Sequence, residues 1–346
     1  GTSVTQMVRT DAPGQVAFSR SGARDAETGE VFWRSGWQGA VPSVPGSGRE
    51  SAPNGRLGFD PTGWGDEISE EVTRRIRVPF WLVANISFHV DAAGGLDVPE
   101  RDGQTPEQSW KTIQYALNHI ATNYNLDRHN LTLMVAAGVY NEDITLPYYN
   151  RTTGVINIVG DNVTLQGAIA LAGQGVGRYN LRGFSIEFAG RPSPGSVGWY
   201  GIFALEGTSM VLSDVTIDMK NESTGILKSC IRSQGSVSIN QNCVFKGNGA
   251  RFWYSEGGKI YLNRDCLCEG TVSLGTVGVS SLGIFGVTTT ANGGVRPVIS
   301  GTVTGKRYAV SGFSVISTAS GGKEYFPGTL PGSNENGVYD GIFEKP

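Results

Sequence analysis

Short stretches in which apolar and polar residues alternate run through the middle of the chain, and two of them are near-copies. Gly235-Ser-Val-Ser-Ile239 and Gly258-Lys-Ile-Tyr-Leu262 each carry an apolar side chain at every second position. This alternation predicts a β-strand with one buried face. The segments that follow, Ile239-Asn-Gln-Asn-Cys-Val-Phe-Lys-Gly247 and Leu262-Asn-Arg-Asp-Cys-Leu-Cys-Glu-Gly270, match at an offset of 23 (262 minus 239). Such a period predicts a stacked solenoid with at least two short strands and two turns in each repeat.

Further strands are predicted before this repeat. They cover residues 86–90, 131–135, 143–146, 155–159 and 162–165. Segments 182–186 and 213–217 match each other at an offset of 31 (213 minus 182), so longer coils are expected there. Within the near-copies, we expect Val244 and Leu267 to stack in the core.

One amphipathic helix is predicted before the repeats, at about residues 106–124. Its apolar side chains recur at helical spacing: Trp110, Ile113, Leu117, Ile120, Ala121 and Tyr124. A solenoid of strands leaves its core open at each end, and repeat proteins cover such ends with capping elements. We therefore interpret this helix as an N-terminal cap.

The composition is typical of a turn-rich β-protein and suggests three segments. The 346 residues include 50 glycines and 15 prolines without a Gly-X-Y period, which excludes collagen. Residues 1–80 carry only isolated apolar residues, so we predict an extended stem whose tryptophans dock on neighbouring copies of the chain. Residues 81–300 are predicted as the solenoid and residues 301–346 as a β-rich terminal segment. Strands are expected at 298–303 and 308–316, where they can form final coils.

The charge and cysteine content exclude several classes of ligand. Lysine and arginine total 28 against 31 acidic residues, a net charge of −3, and there is no basic block typical of nucleic-acid binding. No apolar run is long enough to insert into a membrane. We expect no metal and no cofactor. We interpret four cysteines as buried apolar residues, with a disulfide or a metal role as the alternative: Cys230, Cys243, Cys266 and Cys268.

Three segments carry a resemblance to a known family: Phe88-His-Val-Asp-Ala-Ala-Gly-Gly95, Ser109-Trp-Lys-Thr-Ile-Gln-Tyr-Ala-Leu117 and Val135-Ala-Ala-Gly-Val-Tyr140. In their order of strand, helix and Gly-x-Tyr strand they are similar to the start of the pectin-lyase-like parallel β-helix. The resemblance covers residues 86–167, and the repeats continue to about residue 270. It implies an all-β fold, a right-handed single-stranded parallel β-helix with an N-terminal capping helix.

Two flanking segments resemble parts of bacteriophage tail fibres. Met7-Val-Arg-Thr-Asp-Ala-Pro-Gly14 is similar to connecting segments of side tail fibres, and Tyr325-Phe-Pro-Gly-Thr-Leu-Pro-Gly-Ser-Asn-Glu-Asn-Gly337 resembles tail-fibre and tailspike C-termini. The resemblance implies the distal part of a phage receptor-binding protein, an intertwined homotrimer. In such a trimer, the alternative for residues 301–346 is a trimerisation segment, and the strands at 298–303 and 308–316 can form a trimeric β-clasp instead of final coils. It also implies contact with other phage tail proteins through the N-terminal side, and a place in the virion after assembly in the host cytoplasm.

One pair of acidic residues is a candidate for catalysis. Hydrolysis of a sugar needs two carboxylates facing one bond, roughly 5 to 10 Å apart. Neighbouring coils stack at about 4.8 Å, so equivalent positions on two coils can supply such a pair. Glu187 and Asp218 are separated by 31 positions (218 minus 187), the offset that relates their two coils. The alternative is that both are ordinary solvated acids.

Aromatic residues in the expected connections between coils are candidates for glycan binding, because exposed rings stack on the flat faces of sugars. They are Trp199, Tyr200, Phe203, Trp253 and Tyr254. Arg251 and Glu256 flank the second group and can hydrogen-bond to hydroxyls. The alternative is that these rings pack against an adjacent subunit.

Three functional hypotheses follow. Members of the resembled family either cleave or only bind bacterial surface polysaccharide, so the sequence leaves open whether this chain is an enzyme. The first hypothesis is a receptor-binding protein that attaches to lipopolysaccharide or capsule. The second is a polysaccharide depolymerase, an endoglycosidase that uses Glu187 and Asp218. The third is a purely structural shaft, which would retain no glycan.

Overall fold

The computed structural model describes residues 7–12, 15–18, 80–147, 154–171, 177–188, 199–220, 228–289 and 295–339. The chain divides into two compact units, residues 1–78 and 79–346. In the first unit, β1 (Met7–Ala12) and β2 (Gln15–Phe18) form an antiparallel pair. The rest of the predicted stem lies outside the described residues.

The second unit consists of parallel strands stacked in three columns. The first column contains β4 (Ile86–Val90), β6 (Leu131–Val135), β9 (Ile156–Leu165), β11 (Gly177–Glu187), β13 (Thr208–Asp218), β15 (Ser236–Ile239), β18 (Lys259–Leu262), β21 (Ile284–Val287), β25 (Val315–Ser317) and β27 (Val338–Tyr339). The second contains β7 (Gly138–Tyr140), the later halves of β9, β11 and β13, then β16 (Cys243–Gly249), β19 (Cys266–Val272), β22 (Ile299–Ser300) and β23 (Val303–Gly305). The third contains β8 (Ile144–Leu146), β10 (Ile169–Leu171), β12 (Trp199–Ala204), β14 (Lys228–Ser233), β17 (Arg251–Glu256), β20 (Val277–Ser280), β24 (Tyr308–Ser311) and β26 (Ser333–Glu335).

From β6 to β24 the chain visits the three columns in the same order, and each coil adds a strand to every column. The strands of neighbouring coils pair in parallel. A short parallel pair, β3 (Phe80–Trp81) with β5 (Tyr124–Asn125), lies outside these columns. The protein is therefore all-β with stacked parallel strands, an architecture consistent with a parallel β-helix.

The register confirms both sequence offsets. Ile239 pairs with Leu262 and Cys243 with Cys266, as the offset between the near-copies predicts. Residues 182–187 of β11 pair with residues 213–218 of β13, as the longer offset predicts. The repeats in the sequence therefore correspond to physically adjacent coils.

The turn between the first and second columns uses residues that tolerate a left-handed backbone. Asn162, Gly183, Asp214 and Asn242 occupy this turn in successive coils, with φ values between 54° and 75°. Glycine adopts this region freely, and asparagine and aspartate do so more readily than other residues. The short polar side chain at this turn is therefore explained by backbone geometry.

The interior is a continuous stack of apolar side chains, and the prediction for the near-copies is wrong by one position. At the start of β16 and β19 the buried residues are Cys243, Phe245, Cys266 and Cys268, whereas the residues between them, Val244 and Leu267, are only half-buried. A shift of one residue moves a side chain to the opposite face of a strand. All four cysteines are buried and free, as predicted.

The helix is shorter than predicted. Residues 106–108 form a turn of 3₁₀ helix, and α1 spans Ile113–Asn123. The helix begins where Thr112 acts as N-cap, accepting a hydrogen bond on its side chain from the backbone N–H of Tyr115. Trp110 is fully buried, but in the segment before the helix.

Side-chain hydrogen bonds attach α1 to the first coils. The carboxylate of Glu142 accepts from the backbone N–H groups of Ile113 and Gln114, both at 2.9 Å, at the end of the helix that attracts negative charge. The side chain of Gln114 both accepts from the N–H and donates to the carbonyl of Thr145, in the first strand of the third column. The Gln114 side chain thus takes the place of a preceding strand, which β8 lacks as the edge strand of the third column. The role of the helix as a cap stays a prediction.

The described C-terminal residues continue the columns. β24 and β26 extend the third column, and β25 and β27 extend the first. Of the two alternatives for this region, the strands up to residue 339 form further coils. Within the described segments, no helix has the length and apolar character needed to cross a membrane.

We expect the cysteines to be chemically inert in the folded state. Burial raises the pKa of Cys243 to about 12 and also raises the pKa of Cys230 and Cys268, so the reactive thiolate is suppressed. Ellman's reagent at about pH 8, near the usual thiol pKa, should label none of them in native buffer and all four in denaturant. Labelling of a thiol in native buffer at the rate of a free cysteine would contradict the closed core described for these coils.

Candidate functional site

The outer face of the third column carries a cluster of aromatic and charged side chains. Phe203, Arg232 and Tyr254 are register partners on β12, β14 and β17, three successive coils. The residue before each of them is buried in the core: Ile202, Ile231 and Trp253. We call the outward group the arginine–aromatic cluster: Tyr200, Phe203, Arg232, Arg251, Tyr254 and Glu256.

Arg232 is the centre of this cluster. Its guanidinium carbon lies 5.0 Å from the ring centres of both Tyr200 and Phe203, within the range of a cation–π contact. It donates to the hydroxyl of Tyr200 at 3.2 Å and to Glu256 Oε2 from Nε at 2.9 Å, with a second, shorter bond from Nη2. Burial lowers the pKa of Arg232, but the hydrogen bond to Glu256 leads the opposing effects and leaves it raised. Arg232 and Glu256 therefore neutralise each other.

Arg251 lies on the same face without an acidic partner. Its guanidinium carbon is 4.4 Å from the ring centre of Tyr254, whose hydroxyl is 2.8 Å from Ser280 Oγ. Arg251 Nε is buried and has no hydrogen-bond partner. Desolvation lowers the pKa of Arg251, against a weaker opposing effect of Tyr254 and Tyr200.

The expected location of the aromatic residues in connections between coils is wrong. All five lie on strands: Trp199, Tyr200, Phe203, Trp253 and Tyr254. Tyr200 and Phe203 face outward but are only 5% and 3% exposed. Trp199 is half-buried, with Lys228 Nζ 5.1 Å from its ring, and the described contacts do not bring it into the cluster.

Trp253 is a core residue and cannot stack on an external sugar. It is fully buried between Phe245 and Phe285, at ring-centre distances of 5.1 and 5.5 Å. On β17 the N–H groups of Phe252 and Trp253 both donate to the carbonyl of Thr276. Two residues opposite one is the pattern of a β-bulge, which interrupts the alternation and turns both side chains inward.

The candidate catalytic pair lies elsewhere, at the C-terminal ends of β11 and β13, whose later halves belong to the second column. Glu187 and Asp218 are register partners on β11 and β13. Lys220 Nζ lies 3.0 Å from Glu187 Oε1 and 3.5 Å from Asp218 Oδ2, so one ammonium group bridges the two carboxylates. Lys246 Nζ is also 3.5 Å from Asp218 Oδ2. The hydrogen bond to Glu187 raises the pKa of Lys220.

A cleft of about 210 Å³ opens beside this pair. Four successive coils contribute to its lining, which includes Asn141, Asp143, Gln166, Glu187, Phe188 and Lys220. Ligand pockets usually measure about 300 to 1,000 Å³. The cleft is smaller than that, and Lys220 lies between the carboxylates, where a scissile bond would have to lie. The geometry therefore brings two carboxylates close together but places an ammonium group between them.

Sequence reasoning missed Arg232 and Lys220. Arg232 stands between the alternating buried residues Ile231 and Ser233, a signal that its side chain points outward. Its offset from Tyr254 is 22 (254 minus 232), one short of the repeat, which concealed their equivalence. Lys220 follows Asp218 by two positions in a segment without a repeat pattern, so no periodic signal marked it.

Comparison with family models, curated proteins and solved structures found no match to this chain. Among the residues that the structure describes, no group of three or more histidine, cysteine, aspartate or glutamate side chains is arranged to hold a metal ion.

We expect truncation of Trp253 to destabilise the fold rather than to act on a surface. Trp253→Ala should lower the free energy of unfolding by about 3 to 5 kcal/mol, since it removes a fully buried aromatic side chain. Tyr254→Ala, one position along the same strand but facing outward, is the matched control and should cost much less. Urea denaturation followed by circular dichroism measures both, and equal losses would contradict the inward and outward assignment.

Proposed function

We propose that this chain is the receptor-binding part of a phage tail fibre or tailspike, which attaches to bacterial lipopolysaccharide or capsule through the arginine–aromatic cluster. The carrying observation is the cluster itself: aromatic rings, a guanidinium and a carboxylate held together on the outer face of parallel strands. The resemblance of the sequence to tail fibres supports the same function. The proposal includes a right-handed β-helix, a capping role for α1, a homotrimer, and attachment to other tail proteins on the N-terminal side within the virion.

The chemistry of the cluster suits a sugar. Tyrosine rings offer flat apolar faces to C–H groups, and their hydroxyls offer hydrogen bonds, at a small cost in side-chain entropy. Tyr254 is half-buried, and the side chain of Glu256 is 28% exposed, so both are within reach of a ligand. Because strands and ladder contacts already fix these side chains, little ordering remains to oppose binding.

A binding measurement tests the proposal. Wild-type protein should bind polysaccharide from at least one strain in a panel of purified lipopolysaccharides and capsules, and Tyr254→Ala should weaken that binding about tenfold or more, as for a central aromatic contact. Tyr261→Ala is the matched control, because Tyr261 is also a half-buried tyrosine, on β18 of the first column. If no polysaccharide in a panel that includes the host is retained, or if both variants bind equally, the proposal fails.

One observation favours depolymerase activity as a second candidate function: the carboxylates of Glu187 and Asp218, on neighbouring coils, both contact Lys220 Nζ, at 3.0 and 3.5 Å. The two contacting oxygens are therefore no farther apart than the sum of these distances. Carboxylates about 5 to 5.5 Å apart are typical of retaining glycosidases, and larger separations of inverting ones. The position of Lys220 weighs towards binding without cleavage.

Product analysis separates the two functions. If the chain only binds, incubation with a retained polysaccharide should release no oligosaccharide, as measured by size-exclusion chromatography. Release that is lost in Glu187→Gln and in Asp218→Asn, but kept in Asp214→Asn, would instead establish the enzyme. Asp214 is a suitable control because it is an acidic residue of the same strand paired with Arg182.

A further inference from the structure

We propose that Arg251 is an anion-binding residue, which takes a carboxylate or phosphate group carried by an acidic bacterial glycan. The inference rests on the proposed function for the identity of the molecule that carries the anion. The anion itself is inferred from the buried Nε of Arg251, which has no hydrogen-bond partner on the outer face of the third column.

A guanidinium has five N–H donors in a planar fork. In this protein the guanidinium of Arg251 contacts the ring of Tyr254, and its Nε donor is buried without an acceptor. Among the described residues, no hydrogen bond or ion pair reaches any of its nitrogens. A buried donor without a partner carries the full cost of its lost hydration, and a charged donor more. An oxyanion supplied by a ligand would remove this cost.

The two arginines of the cluster are not equivalent. Arg232 forms a hydrogen-bonded ion pair with Glu256, whose Oε2 also accepts a hydrogen bond from Gln234 Nε2 at 3.4 Å. Among the described residues Arg251 makes no ion pair with Glu256, whose carboxylate is paired with Arg232. The two guanidinium groups and one carboxylate leave a net charge of +1 in the cluster, so the unpaired charge is cationic.

The structure also holds the guanidinium of Arg251 in place. The side chain lies across Gly278 on β20, where a Cβ atom would come within 2.2 Å of Arg251 Nε and 2.4 Å of its Cδ. The ring of Tyr254, the register partner of Gly278, also contacts the guanidinium. A glycine beneath and a ring beside the guanidinium form a slot, and a fork fixed in such a slot matches the two oxygens of a carboxylate or phosphate.

A glycan is the favoured carrier of this anion. A single unpaired cation beside stacking rings suits one charge on one sugar, whereas nucleic acid requires a basic patch or stripe. The chain has a net charge of −3 and no such patch in its sequence. Uronic acids supply a carboxylate and phosphorylated lipopolysaccharide supplies a phosphate, so the two sources remain to be separated by experiment.

The anion site is tested on the full chain by nuclear magnetic resonance. The Nε–Hε signal of Arg251, assigned in [¹⁵N]arginine-labelled protein by its loss in Arg251→Lys, should shift on addition of sodium glucuronate or of inorganic phosphate, and should not shift with glucose. The anion that acts at lower concentration identifies the source. Gly278→Ala, which fills the slot, should abolish the shift.

The signal of Arg182, a guanidinium already paired with Asp214, is the control and should stay in place. If neither anion moves the Arg251 signal, or if glucose moves it equally, the inference is overturned.

A second measurement separates this inference from the proposed function. A uronic-acid polysaccharide that the wild type retains should bind at least tenfold more weakly after its carboxyl groups are reduced to alcohols, and Arg251→Gln should remove this difference. For phosphorylated lipopolysaccharide, enzymatic dephosphorylation takes the place of reduction. Arg182→Gln should behave as the wild type. Equal binding before and after both treatments would overturn the anion site and leave the receptor function standing. A glucuronate shift without retention of any polysaccharide would leave the anion site and overturn the receptor function.

Discussion

Parallel pairing of each coil with the next, in register, is the constraint on which the rest of the structure depends. It places every side chain directly over its equivalent, about 4.8 Å away. Inside, this requires that equivalent positions be apolar and of compatible size, as where Cys243 meets Cys266 and Phe245 meets Cys268. Outside, it converts single residues into ladders, so that the surface of the protein is composed of side chains that must tolerate a close neighbour above and below.

The third column shows how one backbone irregularity decides which residues can be functional. Strict alternation through β17 would place Phe252 and Trp253 on opposite faces. The shared acceptor at Thr276 instead places both inside, and Tyr254 becomes the outward residue beside Arg251. Bulges are frequent next to binding sites, where they redirect a side chain. Cys230 and Ile231, both buried, precede Arg232 on β14 in the same way, so the cluster faces outward because the alternation shifts by one residue at equivalent points of neighbouring coils.

The contrast between what the sequence predicted and what it did not has the same origin. The two repeat offsets can be read from the amino-acid sequence, and they determine which residues of neighbouring coils pair. The stacked architecture and the adjacency of Glu187 and Asp218 were therefore predictable. A shift of one residue along a strand decides whether a side chain points inward or outward, and turns and bulges introduce such shifts. Val244, and above all Trp253, were therefore assigned to the wrong face. Lys220, which lies between the two acids, follows the end of a strand, where periodicity carries no information.

Charge pairing between coils is the rule on this surface, and the exception is informative. Arg182 pairs with Asp214, Glu187 with Lys220, and Arg232 with Glu256. The ladder position of Arg251 offers no such partner, since its register neighbour is Ser229 and Ser229 in turn pairs with Tyr200. A stack that neutralises its own charges has little to gain from an ion in solution, because binding would first have to break an internal pair. Where the ladder leaves a desolvated cation without an acidic partner, an external anion does not have to break an internal ion pair. Arg251 differs in this respect from Arg182, Arg232 and Lys220.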